Sequence, residues 1–365
     1  MTGRARPQLR RGLRAAAAAA SVIVALGLAA AWQFPGPRTA LADAYWELVL
    51  ALRLVRPDRY VGPHFWAVAL HPDGGQIAAA GMYPEPLVWE LPSLLRRPAP
   101  TRHDTWVMEL GWSPDGRWFV SSDFDGGLRL RELATGRELA PPAAADAAYS
   151  FAFRPGRDEL AWGAYDGRVR ILDLRSGAEL HSIPANAGGV LFVAYAPDGR
   201  LLSAGEDGQV RFFDPDSGAE LQRWIAHAAG ITSLSFSPDG RFAVSGGDDA
   251  QVRLWDYPSG GLLREESPHP GWVNFVSFLA DGRYVSVGTS DSLFVWDPAD
   301  LGAPPRAVPV GSWGMCVRPL PDGSGFVSSG KDGIIRIWDG ATLTVRKEIQ
   351  AFEAVRRGGF RMPAL

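Results

Sequence analysis

The chain has 365 residues, with 42 glycines, 29 prolines, a 46% apolar share and a formal net charge of −3. Five arginines (Arg4, Arg6, Arg10, Arg11 and Arg14) and no acid occupy its first fourteen positions, which leaves the remainder acidic by about eight charges. That balance argues against broad nucleic-acid binding, which needs clustered cations to meet phosphates. One cysteine, Cys316, excludes an intramolecular disulfide, and in its apolar run it reads as a small buried hydrophobe.

After the arginines, residues 15–34 carry no charge, and twenty helical residues span about 30 Å, the thickness of a bilayer core. Pro35-Gly36-Pro37 breaks that helix and Ala40-Leu41-Ala42 offers an A-x-A cleavage site, so residues 1–42 read either as a secretory signal peptide or as a membrane anchor. Both readings export the rest of the chain and leave the positive end in the cytoplasm; the alternative is a cytoplasmic protein with a buried helix. If the segment is uncleaved, residues 15–34 make the membrane contact. Residues 43–61 read as an apolar helical linker, within which residues 44–55, interrupted only by Glu47 and Arg53, are too short to span a bilayer and too apolar to sit free in water. They either lie on the membrane surface or cover one face of the domain that follows. Only two of the 37 basic residues are lysines (Lys331 and Lys347), a bias that points to a GC-rich, bacterial genome.

From residue 62 to 352 the sequence repeats. The stretch His227–Gly260 contains an alternating apolar run (Ile231, Leu234, Phe236), a Pro-Asp-Gly turn, a second run ending at Ser245, an acid at Asp249, and a third run closing on Trp255-Asp256. Period-two runs divided by turn residues are strands joined in hairpins. The turn position recurs at Pro72, Pro114, Pro155, Pro197, Pro238, Ala280 and Pro321, in steps of 42, 41, 42, 41, 42 and 41 residues. A second landmark, the acid closing the third strand, recurs at Glu90, Glu132, Asp173, Asp214, Asp256, Asp297 and Asp339. Two independent series in phase give seven units, and a period of about 40–45 residues with a Trp-Asp ending is the pattern of propeller blades.

The chain thus resembles the WD40 family over residues 62–352, which implies an all-β, seven-bladed β-propeller with an N-terminal apolar helix and a C-terminal tail at 353–365. In that family the Trp shares a buried hydrogen-bond network with a Ser or Thr of the second strand, an Asp of the following turn and a His before the first strand. His227, Ser245, Asp249 and Trp255 match every position. The second unit matches with His103, Ser121 and Asp125 but has Arg131 for Trp. The fourth keeps Ser203 and Asp207 with Phe213; the sixth keeps His269, Ser286 and Trp296 with Ser290 for Asp; the seventh keeps Ser328, Asp332 and Trp338 without a His. The first and third have lost most of the set. Residues 342–352 read as the outer strand of the last unit, so that the C-terminus supplies that blade by itself.

No catalytic constellation emerges. His64, His71, His103, His181, His227 and His269 show no metal-ligand spacing, there is no G-x-S-x-G nucleophile turn, and no phosphate loop is present. The expectation is a non-enzyme without metal or cofactor. By resemblance, two loop positions per blade face the rim around the central channel. They hold Trp106, Trp272 and Trp313 with His64 at the first, and Phe124, Tyr165 and Met82 at the second, whereas blades 4 and 5 carry Gly189, Gly230, Glu206 and Asp248. Trp106, Phe124, Tyr165, Trp272 and Trp313 therefore form an expected partner-binding arc, because aromatic side chains dominate binding hot spots. The function expected is an exported or membrane-tethered scaffold for a protein or peptide. The alternative is a small-ligand or catalytic propeller using its central channel.

Overall fold

The computed structural model describes residues 64–139, 141 and 148–350. The expected signal or anchor, the linker up to residue 61 and the tail at 353–365 lie outside these residues. Among them run twenty-eight strands, numbered along the chain from β1 (Phe65–Leu70) to β28 (Val345–Gln350). They form seven separate four-stranded sheets, each built from four consecutive strands paired antiparallel. No helix occurs among the described residues.

Local chemistry sets the hairpins. In blade 5, β17 (Ile231–Phe236) turns into β18 (Phe242–Gly247) through Pro238-Asp239-Gly240. Asp239 accepts from the Arg241 N–H at 3.1 Å, and Gly240 takes φ +68°, a conformation that costs a residue with a Cβ about 1 kcal/mol or more. The inner strand of every blade carries a bulge near its start, as at Ile231/Ser233 and Phe65/Ala67. The bulged side chain is thereby re-aimed and in three blades reaches the next inner strand. Trp66 Nε1–H donates to Val107 O (3.0 Å), Thr232 Oγ1–H to Val273 O (2.6 Å) and Asn274 Nδ2–H to Gly314 O (2.8 Å).

Blade 7 meets blade 1 by packing. Its outer strand is β28, supplied by the C-terminal part of the chain, and no strand crosses from one sheet to the other. At this seam Ser329 Oγ–H donates to Phe65 O at 3.1 Å. Phe65, Ile77 and Trp89 share one core cluster with Cys316, Phe326 and Trp338. Cys316 is fully buried, and burial pushes its thiol up from the ordinary value.

The residues expected to form the network meet in blade 5. Trp255 Nε1–H donates to Ser245 Oγ (2.9 Å), Ser245 stands 2.7 Å from His227 Nε2, and His227 Nδ1 stands 2.8 Å from Asp249 Oδ1. One direction of donation fits all four groups: indole to hydroxyl, hydroxyl to Nε2, and Nδ1–H to carboxylate, with a neutral imidazole. Burial lowers His227 and outweighs the pull of Asp249. For Asp249 burial acts upward, but hydrogen bonds from His227 and Arg253 win and hold its carboxyl far below the usual range.

Other blades solve the same problem with different atoms. In blade 2 the carboxylate is Asp123, 2.8 Å from His103 Nδ1, and not the expected Asp125. The equivalent position in blade 5 is Gly247, where a Cβ would stand 2.5 Å from His227 Nδ1; a side chain grown from that strand reaches the imidazole directly. Thr101, 2.6 Å from Ser121 Oγ, replaces the indole that Arg131 cannot supply. In blade 4, Asn186 stands in for the His, accepting from Ser203 Oγ–H (2.7 Å) and donating to Asp207 (2.8 Å). In blade 6, His269 joins Ser286 to Ser290 without a carboxylate, and burial lowers its pKa to about 4.

A buried donor left without its acceptor costs about 1–3 kcal/mol, so Asp249→Ala is expected to lower unfolding free energy by about that much in a denaturant titration. Because Asp249 titrates below its unfolded value, its contribution is present above about pH 4 and lost below it. His269 gives a second pH window. Unfolded, it takes a proton near pH 6.5; folded, only near pH 4. Stability is therefore expected to fall by roughly 3 kcal/mol from this group as pH drops through that interval. His269→Gln should reduce proton uptake on unfolding by about one there; an unchanged pH dependence would contradict the buried neutral imidazole.

Candidate partner-binding rim

The rim is built from the loops that enter each inner strand and from the turns between second and third strands. On blades 1 and 2 it is a half-buried aromatic stack. Trp106 lies 6.0 Å from Phe124 and 6.3 Å from Trp66, and Trp66 meets His64 edge-on at 6.2 Å, all between ring centroids. On blade 3, Tyr165 lies 6.1 Å from Tyr149. The structure thus joins Trp106 to Phe124, while Tyr165 has a different aromatic neighbour.

Trp272 and Trp313 differ from that stack in exposure. They are 45% and 39% exposed, close to the 38% of Tyr165. Lys331 Nζ sits 4.1 Å from the ring centre of Trp313, close enough for a cation–π attraction worth about 0.5–1 kcal/mol at an exposed site. The same lysine, after burial, lowers the pKa of His64, so the imidazole is neutral at pH 7.

Trp66 and Tyr149 were not among the residues expected on the rim. Both are the bulged residues of their inner strands, at Phe65/Ala67 and beside the Gly163/Ala164 irregularity. Two aromatics each two residues past the first rim position of their blade were a usable signal; the bulge that brings them up was not written in the repeat spacing.

Blades 4 and 5 give the rim a different character. Gly189 and Gly230 replace the aromatics, the Gly189 N–H donates to Glu206 Oε2 at 3.3 Å, and a Cβ on Gly230 would meet Asp248 Oδ2 at 3.0 Å. Desolvation, then the carboxylates of Asp249 and Glu206, push Asp248 up to about 6. The rim is therefore aromatic over blades 6, 7, 1, 2 and 3, and acidic over blades 4 and 5.

Below the rim, side chains of the inner strands meet across the axis. Arg318 of blade 7 reaches past blade 1 to Glu109 of blade 2 at 3.4 Å, and its guanidinium lies 4.3 Å over the ring of Phe275 of blade 6. Phe192 of blade 4 packs against the core cluster shared by blades 6, 7 and 1. Among the described residues no group of three His, Cys, Asp or Glu side chains stands together as a metal site, and no helix is long and apolar enough to cross a membrane.

The family described as WD domain, G-beta repeat matches five segments: residues 97–131, 177–214, 218–256, 260–297 and 312–339. Each segment ends with the third strand of blade 2, 4, 5, 6 or 7, the five blades that keep a bonded Ser with its partners. The third strands of blades 1 and 3 fall outside the matches, and those blades lack the set. No curated protein matches the chain. This chain is accordingly a WD40-repeat protein, a seven-bladed β-propeller in which five repeats keep the family pattern and two depart from it.

Proposed function

We propose that this protein is a non-enzymatic scaffold that holds a protein or peptide partner on the aromatic arc of its rim. WD40 propellers are typically interaction scaffolds, which supports the general class. The observation that carries the specific reading is the exposure of Trp272, Trp313 and Tyr165 at repeat positions where blades 4 and 5 have small or acidic residues. Large exposed aromatics cost apolar hydration and return it only when a partner covers them. Few rotatable bonds make the ordering cost of that contact low.

The reading includes export. Residues 1–42 combine a positive start, an uncharged stretch and a small-residue cleavage pattern, which supports passage across a membrane with or without retention as an anchor. The channel reading has less support, since the titratable pair on the axis is engaged with itself and with Phe275.

Truncation of residues 1–42 is expected to leave the propeller in the compartment where it is synthesised; export of the truncated chain would contradict the targeting role. For the rim, wild type and a folded Trp272→Ala, Trp313→Ala variant are compared by crosslinking and capture from native membranes. Loss of a hot-spot aromatic costs about 2 kcal/mol or more, roughly thirty-fold in affinity. One partner captured by wild type and lost from the variant is the expected result. The same proteins captured by both would move the binding site away from the rim.

A further inference from the structure

The aromatic arc does not run all the way round the rim. At its first loop position blades 1, 2, 6 and 7 carry His64, Trp106, Trp272 and Trp313, whereas blades 4 and 5 carry Gly189 and Gly230. Two adjacent blades therefore lack the large ring that the others present, and the exposed aromatics Tyr165 of blade 3 and Trp272 of blade 6 border the gap.

The two glycines let other groups close in. A Cβ on Gly189 would stand 3.1 Å from the Tyr165 ring and 3.6 Å from the Glu206 carboxyl carbon, so ring and carboxylate pack over one stretch of backbone, an approach that a side chain there would block. A Cβ on Gly230 would stand 3.0 Å from Asp248 Oδ2, 3.1 Å from Leu191 Cδ1 and 3.6 Å from Glu206 Cα. Glu206 is common to both places, and its carboxylate accepts from the Gly189 N–H at 3.3 Å. One aromatic face, two carboxylates and a half-buried leucine are thereby gathered across three adjacent blades.

The charge of this place has one sign. Asp207 and Asp249, the next residues along the turns, each have an arginine of their own, Arg211 at 3.2 Å and Arg253 at 2.7 Å. The charges that act on Asp248 are both negative, those of Asp249 and Glu206. A cation brought into the gap reduces that repulsion.

We propose that the gap receives an arginine side chain of the partner docked on the arc, its guanidinium against the Tyr165 ring and hydrogen-bonded to the Glu206 and Asp248 carboxylates. The inference rests on the reading of the rim as a docking surface and names the chemistry of what docks there. A guanidinium is planar, always charged and donor-only, so its face stacks on an aromatic ring while its edge meets carboxylates. Its methylene stem suits the Leu191 side chain. An acidic segment would add to the repulsion, and an apolar one would cover two carboxylates without a counter-charge.

The test titrates the full chain, followed by NMR of the ligand, with the amide-capped peptide N-acetyl-Gly-Arg-Gly and with its citrulline counterpart, which has the same shape and no charge. Saturable binding of the arginine peptide with a dissociation constant on the order of 1 mM is expected, and the citrulline peptide should bind about tenfold more weakly or less. Glu206→Gln with Asp248→Asn keeps both shapes, leaves an acceptor for the Gly189 N–H, and should weaken arginine binding about tenfold or more. No saturable binding of the arginine peptide, equal binding of the two peptides, or undiminished affinity in the folded double variant would overturn the assignment. The capture experiment on the Trp272→Ala, Trp313→Ala variant reports on the arc separately. A partner lost from that variant while the arginine peptide fails to bind removes the arginine site and keeps the docking surface; arginine binding with unchanged capture does the reverse.

Discussion

Seven sheets that share no strand can form a ring only if each buries both faces on its neighbours and the last meets the first. The seam between blades 7 and 1 is where that constraint is met without any covalent continuity between adjacent strands. Phe65, Ile77 and Phe326 are fully buried there, and each large apolar side chain removed from water contributes about 1.5–3 kcal/mol. The Ser329–Phe65 hydrogen bond, like any neutral one, nets about 1 kcal/mol. Packing therefore carries the closure, and the hydrogen bond fixes the register at which it occurs.

The polar networks follow the same division of labour. In four blades an arginine four residues on pairs with the turn aspartate: Asp207 with Arg211, Asp249 with Arg253, Asp332 with Arg336 and, in blade 3, Asp166 with Arg170. Blade 6 has Ser290 in the aspartate position and Phe294 in the arginine position, with Phe294 edge-on to His269 at 5.0 Å between ring centres. Charge and counter-charge are lost together, as expected when either alone would be left partly buried and unpaired. Blade 1 lacks both and rests mainly on apolar packing against its two neighbours.

Much of the fold was legible because hairpin turns and the third-strand acid are dictated locally, by proline, glycine and carboxylate chemistry that survives in nearly every unit. The blade 5 network was legible for the same reason: four residue types at fixed offsets. What escaped the sequence depends on side-chain reach. Asn186 serves for a histidine because its amide presents an acceptor and a donor at similar distances, and Asp123 serves for Asp125 because a side chain at its strand position, a glycine in blade 5, reaches the imidazole directly. The rim was partly legible. Its loop positions carried aromatics, but the bulges that lift Trp66 and Tyr149 beside them arise from sheet geometry and leave no mark in the repeat period.

The aromatic arc runs over blades 6, 7, 1, 2 and 3, so it crosses the seam: Trp313 and Lys331 stand on one side, His64, Trp66 and Trp106 on the other. Both the closed ring and the continuous rim depend on blade 1 being locked to blade 7. Hydrogen exchange read by mass spectrometry along the full chain tests this most directly. If packing closes the ring, amides of β1 and of blade 7 exchange as slowly as those of blade 5, in one cooperative opening. Early exchange of blade 1 as a separate unit, with blade 5 still protected, would contradict a closed seam and with it a continuous rim.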